Sequence, residues 1–244
     1  MTDKTNQCVD ENQALPELCK QCTARHKGIC GALSSKELTE LNKISTQKEF
    51  SAGHTLVADE EEFPFFANVL EGVVKLSKIL PDGRQQIVGL QFAPDFMGRP
   101  FHSESSLSVE SATDTLLCAI PRKQFEEMLS KSPELQSRLL KQTLIELDAS
   151  RDWLVTLGRK NAGEKVASFL FMISRNCAVK QEASGTISFD LPLTRADMAD
   201  FLGLTIETVS RQLSKLKKST VISIRNNRHI EVLDIKALKL AGGD

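Results

Sequence analysis

No stretch of this chain approaches the ~18–20 consecutive apolar residues of a membrane span, so a membrane-crossing function is not expected. Its first ten residues, Met1 to Asp10, are polar and lack the apolar core of a secretory signal. The cytoplasm is the compartment these two absences point to. Cellular reductants keep thiols reduced there, which argues against a disulfide framework for the six cysteines. Clustered cysteines then read as metal ligands or redox groups. No repeat of fixed period and no low-complexity segment is present. Excess charge is missing too: the net is −1, which alone argues against a generally basic nucleic-acid binder.

What is there is unevenly placed. The 244 residues suffice for two compact domains, and a hydrophobic content of 41% allows a buried core through most of the chain. From Arg159 to Asp244, 14 Lys and Arg stand against 9 Asp and Glu, a net of +5, while the residues before them carry −6. Between Thr205 and Arg228 there are six basic residues (Arg211, Lys215, Lys217, Lys218, Arg225 and Arg228) and one acid, Glu207. A basic segment on an acidic protein is a local footprint for a polyanion.

Four regions follow one another. Residues 1–31 form a polar, cysteine-rich arm. Residues 32–132 open with a short helical stretch at 34–43. They continue as β-like runs at Phe66–Leu70, Val73–Ile79, Gln86–Phe92 and Thr115–Ile120, with Pro81-Asp82-Gly83 as one of the turns. Short strands with this punctuation predict a β-barrel or β-roll.

Residues 133–158 read as one long helix opened by Pro133 in its first turn. Leu140, Leu147 and Leu154 recur there every seven residues, with Thr143, Ser150 and Leu157 at the companion positions. This is the seam of a two-stranded coiled coil, and the helix is expected to dimerise. An amphipathic helix packed on its own domain has the same spacing. The small, polar Thr143 and Ser150 make the seam marginal and open to switching between monomer and dimer.

Residues 159–244 hold the most informative string, Leu193 to Lys218. Thr194 and Asp197 suit the start of a helix, whose buried side is Ala196, Ala199, Phe201 and Leu202. Gly203 permits a tight reversal, and Thr205 can cap a second helix, which makes a helix-turn-helix. In the second helix Ile206, Val209, Leu213 and Leu216 share one face, and Glu207, Ser210, Arg211, Ser214 and Lys218 the other. Arg211 can offer a bidentate pair to guanine, and Glu207 can accept from a cytosine amino group. Lys215, Lys217 and Lys218 suit phosphates. Val221–Arg225 and His229–Leu233 flank Asn226-Asn227-Arg228 and predict a hairpin wing, with Arg225 and Arg228 placed to reach the DNA backbone.

Cys19, Cys22 and Cys30 form a C-x2-C-x7-C pattern. The short gap lets two thiolates meet one metal centre and the loop returns a third. Iron–sulfur clusters and structural zinc both commonly take four ligands, and the fourth must come from Cys8, His26 or a distant cysteine. Arg25, His26 and Lys27 add positive charge that would favour thiolates. Cys118 sits in a strand and Cys177 follows an amphipathic helix, where a buried role is the plain reading. No thioredoxin-like βαβ pattern surrounds Cys19 and Cys22, so a thiol oxidoreductase is not expected, and the chain does not read as an enzyme.

A cysteine-rich start, a β-roll, a long helix and a winged helix-turn-helix together make an α+β chain that resembles the Crp/Fnr family over nearly its full length. More narrowly it resembles the FNR-type oxygen regulators. The strings that carry the likeness are the cysteine triplet, Gly83-Arg-Gln-Gln-Ile-Val-Gly-Leu90, Cys118-Ala-Ile-Pro-Arg122, Arg159-Lys-Asn-Ala162 and Leu204-Thr-Ile-Glu-Thr-Val-Ser-Arg211.

The resemblance implies an oxygen-labile [4Fe–4S] cluster held by Cys19, Cys22, Cys30 and, as fourth ligand, Cys118, with Cys8 spare. It implies base reading by Glu207, Ser210 and Arg211 on a palindromic site of the TTGAT-N4-ATCAA kind. It also implies a homodimer and contact with RNA polymerase, for which the turn Asp82-Gly83-Arg84 is a candidate. The gap between Cys22 and Cys30 is longer than in enteric relatives, which bears on how readily the cluster is lost. Cyclic AMP is not expected, because Pro94-Asp-Phe-Met-Gly-Arg-Pro-Phe-His-Ser103 lacks the glutamate and the Arg-Ser pair of the nucleotide-binding branch. A zinc-stabilised or cluster-independent regulator with the same reader, one that does not sense oxygen, is the alternative.

Overall fold

The computed structural model describes residues 16–102, 104–177, 180, 181 and 186–243; Cys8 lies outside them. Two short helices, α1 (Glu17–Lys20) and α2 (Thr23–His26), and a 3-10 turn at Ile29–Ala32 carry the arm cysteines. Helix α3 (Ser35–Ile44) starts at a reciprocal cap: the Ser34 hydroxyl accepts from Glu37 N, and the Glu37 carboxylate accepts from Ser34 N at 2.8 Å.

Eight strands follow: β1 (Thr46–Phe50), β2 (Thr55–Val57), β3 (Phe65–Glu71), β4 (Val73–Ile79), β5 (Gln85–Phe92), β6 (Phe96–Met97), β7 (Ser108–Ser111) and β8 (Thr115–Pro121). They form two antiparallel sheets, β1-β8-β3-β6 and β2-β7-β4-β5. Side chains alternate across a strand, and that period decides what faces what. Phe65, Ala67 and Val69 of β3, with Leu117 and Ala119 of β8, turn inward to the roll's own core. Phe66 and Ile120 turn the other way. They pack with Ile29, Leu38, Phe125 and Leu135 in a second core that seats the arm on the roll. Cys118 lies between Leu117 and Ala119 and therefore shares the arm's side.

Helix α4 (Arg122–Lys131) leads to α5 (Pro133–Arg159), with Ser132 as its cap and Pro133 in its first turn. Among the described residues no helix is long and apolar enough to cross a membrane.

The C-terminal part comprises α6 (Ala162–Asn176), β9 (Lys180–Gln181), β10 (Ile187–Asp190), α7 (Arg195–Leu202), α8 (Ile206–Lys218), β11 (Ile222–Arg225), β12 (His229–Val232) and α9 (Ile235–Ala241). The expected two-stranded wing is half of a larger sheet, β11-β12-β10-β9. Phe169, Ile173, Met198, Leu202, Val209, Leu213 and Ile230 fill the core beneath it. That core runs on into Val73, Ile87 and Phe92 of the roll. Cys177 is half-buried against it, and burial pushes its thiol up to about 11.

Candidate nucleic-acid interface and cysteine centre

The reading head is built by local rules. Thr194 accepts from Asp197 N and donates to its carboxylate at 2.6 Å, which opens α7. Gly203 ends it in the left-handed region, φ 61°, where a side chain would be strained. Thr205 then caps α8 by accepting from Thr208 N. Val209, Leu213 and Leu216 bury the inner face of α8. Ile206, expected beside them, is 47% exposed, because the first turn of α8 stands clear of the core that covers Val209.

The outer face presents Glu207, Ser210, Arg211, Ser214 and Lys218 to solvent. Hydrogen bonds from its own backbone N–H and from Thr205 hold the Glu207 carboxyl below the usual range, so it is ionised at neutral pH. The Arg211 guanidinium donates to Thr208 Oγ1 at 3.1 Å. An anionic acceptor and a steadied donor fork one helical turn apart suit the edges of neighbouring bases.

At the wing tip, Asn226 and Asn227 make the turn with positive φ. Arg225 pairs with Glu231 at 3.0 Å, and Arg228 donates to the carbonyl of Leu191 at 3.0 Å. Both arginines, read from sequence as backbone contacts, are tied to their own domain here.

The cysteine centre forms where the arm meets the roll. Cys118 stands opposite Asn68 in the register of β8 and β3. The fully buried Asn68 donates from Nδ2 to Cys30 Sγ at 3.6 Å. Cys19 Sγ lies 4.0 Å from Asn42 Oδ1. Burial pushes the Cys30 thiol up to about 12, helped by the nearness of Cys118, Cys22 and Cys19 and opposed by Asn68. Burial also raises Cys118, against a hydrogen bond from Ser45, and Cys22 and Cys19 add to the rise. Arg25 favours the Cys19 thiolate, in the direction the sequence suggests, but burial and Cys22 outweigh it and raise the thiol.

Cys19, Cys22, Cys30 and Cys118 are free thiols, and the nearness of the others disfavours ionisation of Cys30 and of Cys118. A multivalent cationic centre removes that penalty, and an all-sulfur donor set suits iron–sulfur clusters or zinc. Asn68 Oδ1 is buried beside them without a partner among the described residues. No group of three Cys, His, Asp or Glu poised for a single metal ion occurs among the described residues. The thiols fit a four-sulfur centre by donor type.

Comparison with known proteins decides the family. A cyclic nucleotide-binding domain model matches residues 47–132, and a Crp-like helix-turn-helix model matches residues 164–241. A probable transcriptional activator of Rhizobium leguminosarum is 54% identical over 224 residues, 92% of each chain. The chain belongs to the Crp/Fnr family. The transcriptional activator FnrL of Cereibacter sphaeroides is 45% identical over 93% of this chain and 92% of its own length. Among solved structures, FixK2 of Bradyrhizobium japonicum superposes with a TM-score of 0.74 at 29% identity, covering 81% of this chain and 97% of that one. Proteins of the Crp/Fnr family are transcription regulators, not enzymes.

Helix α5 of this Crp/Fnr chain carries an uncovered apolar row. At about 100° per residue, Leu140, Leu144, Leu147 and Leu154 share one face, and all four are exposed. Leu144 was missing from the sequence reading, although it falls four residues after Leu140 and three before Leu147. Ser150 and Leu157 stand on the flank of that row; Ser150 is exposed and Leu157 half-buried. The turn Asp82-Gly83-Arg84 is exposed, and Arg84 holds the Asp82 carboxyl below its usual range through a contact of 2.8 Å.

Proposed function

We propose that this chain is an oxygen-responsive transcription regulator, mainly an activator. It binds a palindromic DNA site as a homodimer while Cys19, Cys22, Cys30 and Cys118 hold a [4Fe–4S] cluster. The observation that carries this reading is the nearness of Cys19, Cys22 and Cys118 to Cys30, whose side chain packs in the core where α5 also docks. The names of the two relatives as transcriptional activators support the activating role.

Bound at these sulfurs, the cluster would supply iron–thiolate bonds that pin the arm and that oxygen breaks. The rest belongs to the chain. Cys19 lies in α1 and Cys22 caps α2, so ligation would hold these pieces of the arm in place and its loss would free them. Leu140, Leu144, Leu147 and Leu154 bury one another across a two-fold axis. Two copies of α8 then meet successive major grooves, with Glu207, Ser210 and Arg211 on the bases and Lys215, Lys217 and Lys218 on phosphates. A monomer reads one half-site and loses most specific affinity. The turn Asp82-Gly83-Arg84 offers RNA polymerase a charged, exposed contact. Cyclic AMP has no part in this scheme, since residues 94–103 lack the groups that would recognise it. The protein acts where the DNA is, in the cytoplasm.

Purification without oxygen tests the reading. Wild type is expected to be brown, with about four irons and four sulfides per chain, to bind the palindrome, and to lose colour and binding in air. Cys118→Ser is expected to be colourless. A colourless wild type that holds zinc and binds DNA equally with and without air would replace the cluster by the zinc alternative.

A further inference from the structure

Arg138, in the second turn of α5, donates from Nε to the carbonyl of Gly28 at 3.1 Å and from Nη2 to the carbonyl of Lys27 at 2.6 Å. Both carbonyls belong to the seven-residue loop between Cys22 and Cys30. One planar guanidinium thus holds two successive peptide groups, a fork that lysine cannot make. The loop is closely seated on its other side as well. A Cβ at Gly28 would meet the carbonyl oxygens of Ala24 at 2.9 Å and Pro94 at 3.0 Å. The loop backbone is therefore gripped between the roll and α5. By helical geometry Arg138 lies about 160° around α5 from Leu140. The helix bears the cysteine loop on one side and its uncovered apolar row on the other.

We propose that Arg138 is the positioning residue through which the cysteine loop controls the dimer seam. This rests on the reading of Cys19, Cys22, Cys30 and Cys118 as cluster ligands, and it names the link from them to α5. Ligation of Cys22 and Cys30 fixes both ends of the loop, so the Lys27 and Gly28 carbonyls stand at the spacing the guanidinium spans. Release of those ends weakens the match, and the two bonds hold the second turn of α5 to the arm for less of the time. The apolar row begins at Leu140, two residues further on, so the loss falls on its first layer.

The test compares wild type, Arg138→Met and Arg138→Lys, each purified without oxygen. Iron, sulfide and visible absorption are measured, and dimer dissociation is followed by sedimentation before and after air. In wild type the anaerobic form is expected to dimerise more tightly by on the order of tenfold. Arg138→Met should keep the cluster while that ratio falls towards one, and Arg138→Lys should not restore it. Trypsin digestion of the cluster-free proteins needs no cluster: cleavage after Lys27 should be faster in Arg138→Met, whose Lys27 carbonyl is no longer held.

An Arg138→Met protein with its cluster, the wild-type ratio and unchanged cleavage overturns the proposal. Loss of iron from Arg138→Met also overturns it, by assigning Arg138 to cluster retention. A wild type without iron or sulfide overturns the cluster reading instead, and the digestion still decides whether Arg138 grips the loop.

Discussion

The Lys75 ammonium lies 2.8 Å from the Asp197 carboxylate and joins strand β4 of the roll to the first helix of the reader across 122 residues of sequence. Glu110 stands on the same ammonium at 2.9 Å. Asp197 is also the residue that closes the cap of α7 with Thr194. The orientation of the reading head on the roll and the start of its first helix thus share one side chain.

This pair predicts a specific acid dependence. Burial would raise the Asp197 carboxyl, but bonds from Lys75 and Thr194 hold it below its usual value. A depressed folded value contributes stability above the ordinary carboxylate range, and that stability is lost as pH falls through the folded value. Burial would lower Lys75, but Asp197 and Glu110 raise it, so its contribution fades only above the ordinary lysine range. Asp197→Asn is expected to cost about 1–3 kcal/mol at pH 7. Its difference from wild type should shrink as pH falls from about 4 towards 2. Urea unfolding across that range measures it; a constant difference would show that the ion pair is not the source.

The reader predicts losses confined to single base pairs. Arg211→Ala is expected to cost ~1–3 kcal/mol at one guanine position and to relax discrimination there. Glu207→Ala should relax discrimination at a neighbouring cytosine. Lys218→Ala should weaken all sequences alike and flatten the salt dependence. Fluorescence anisotropy on point-substituted palindromes separates these outcomes. Equal losses for Arg211→Ala on the palindrome and on random DNA would remove it from base reading.

The apolar row of α5 predicts a separation of folding from assembly. Leu147 is 42% exposed in the single chain, so Leu147→Glu should leave monomer stability within about 0.5 kcal/mol of wild type. Buried across a dimer, the same change places two uncompensated carboxylates in an apolar seam. Dimers should then be undetectable by sedimentation at micromolar protein. A destabilised monomer would instead mean that Leu147 packs on its own domain.

Much of this was legible in the residues, and what was not has physical causes. Alternation along Thr115–Ile120 already opposes Cys118 to Leu117 and Ala119, and the caps at Thr194 and Thr205 with Gly203 between them delimit both reader helices. Strand β10 and helix α9 were not foreseen. Ile187–Asp190 is four residues long and reads as strand only once β12 lies beside it, and Ile235–Ala241 is barely two turns. Arg225 and Arg228 show a further limit: their charge is visible in the sequence, while Glu231 and the Leu191 carbonyl that engage them are not. Arg138 left no pattern at all. Its partners are backbone carbonyls more than a hundred residues away, and a carbonyl has no residue type.

The junction between α5 and the reader has a reporter of its own. Trp153 is the only tryptophan, and the chain has no tyrosine, so emission excited at the indole band comes from this one site. Its ring stacks on Phe201 of α7, centroids 4.7 Å apart and planes 19° from parallel. Its Nε1 is buried without a hydrogen-bond partner among the described residues. Phe201 is itself buried in the reader core, so Phe201→Ala is expected to cost about 3–5 kcal/mol. Phe201→Leu should cost less while still removing the stacked face. Both should move Trp153 emission to longer wavelength, because water gains the indole face that Phe201 covered. Circular dichroism should show the helices of Phe201→Leu intact. An unchanged emission maximum in that folded variant would mean that α5 and the reading head do not meet at this contact in solution.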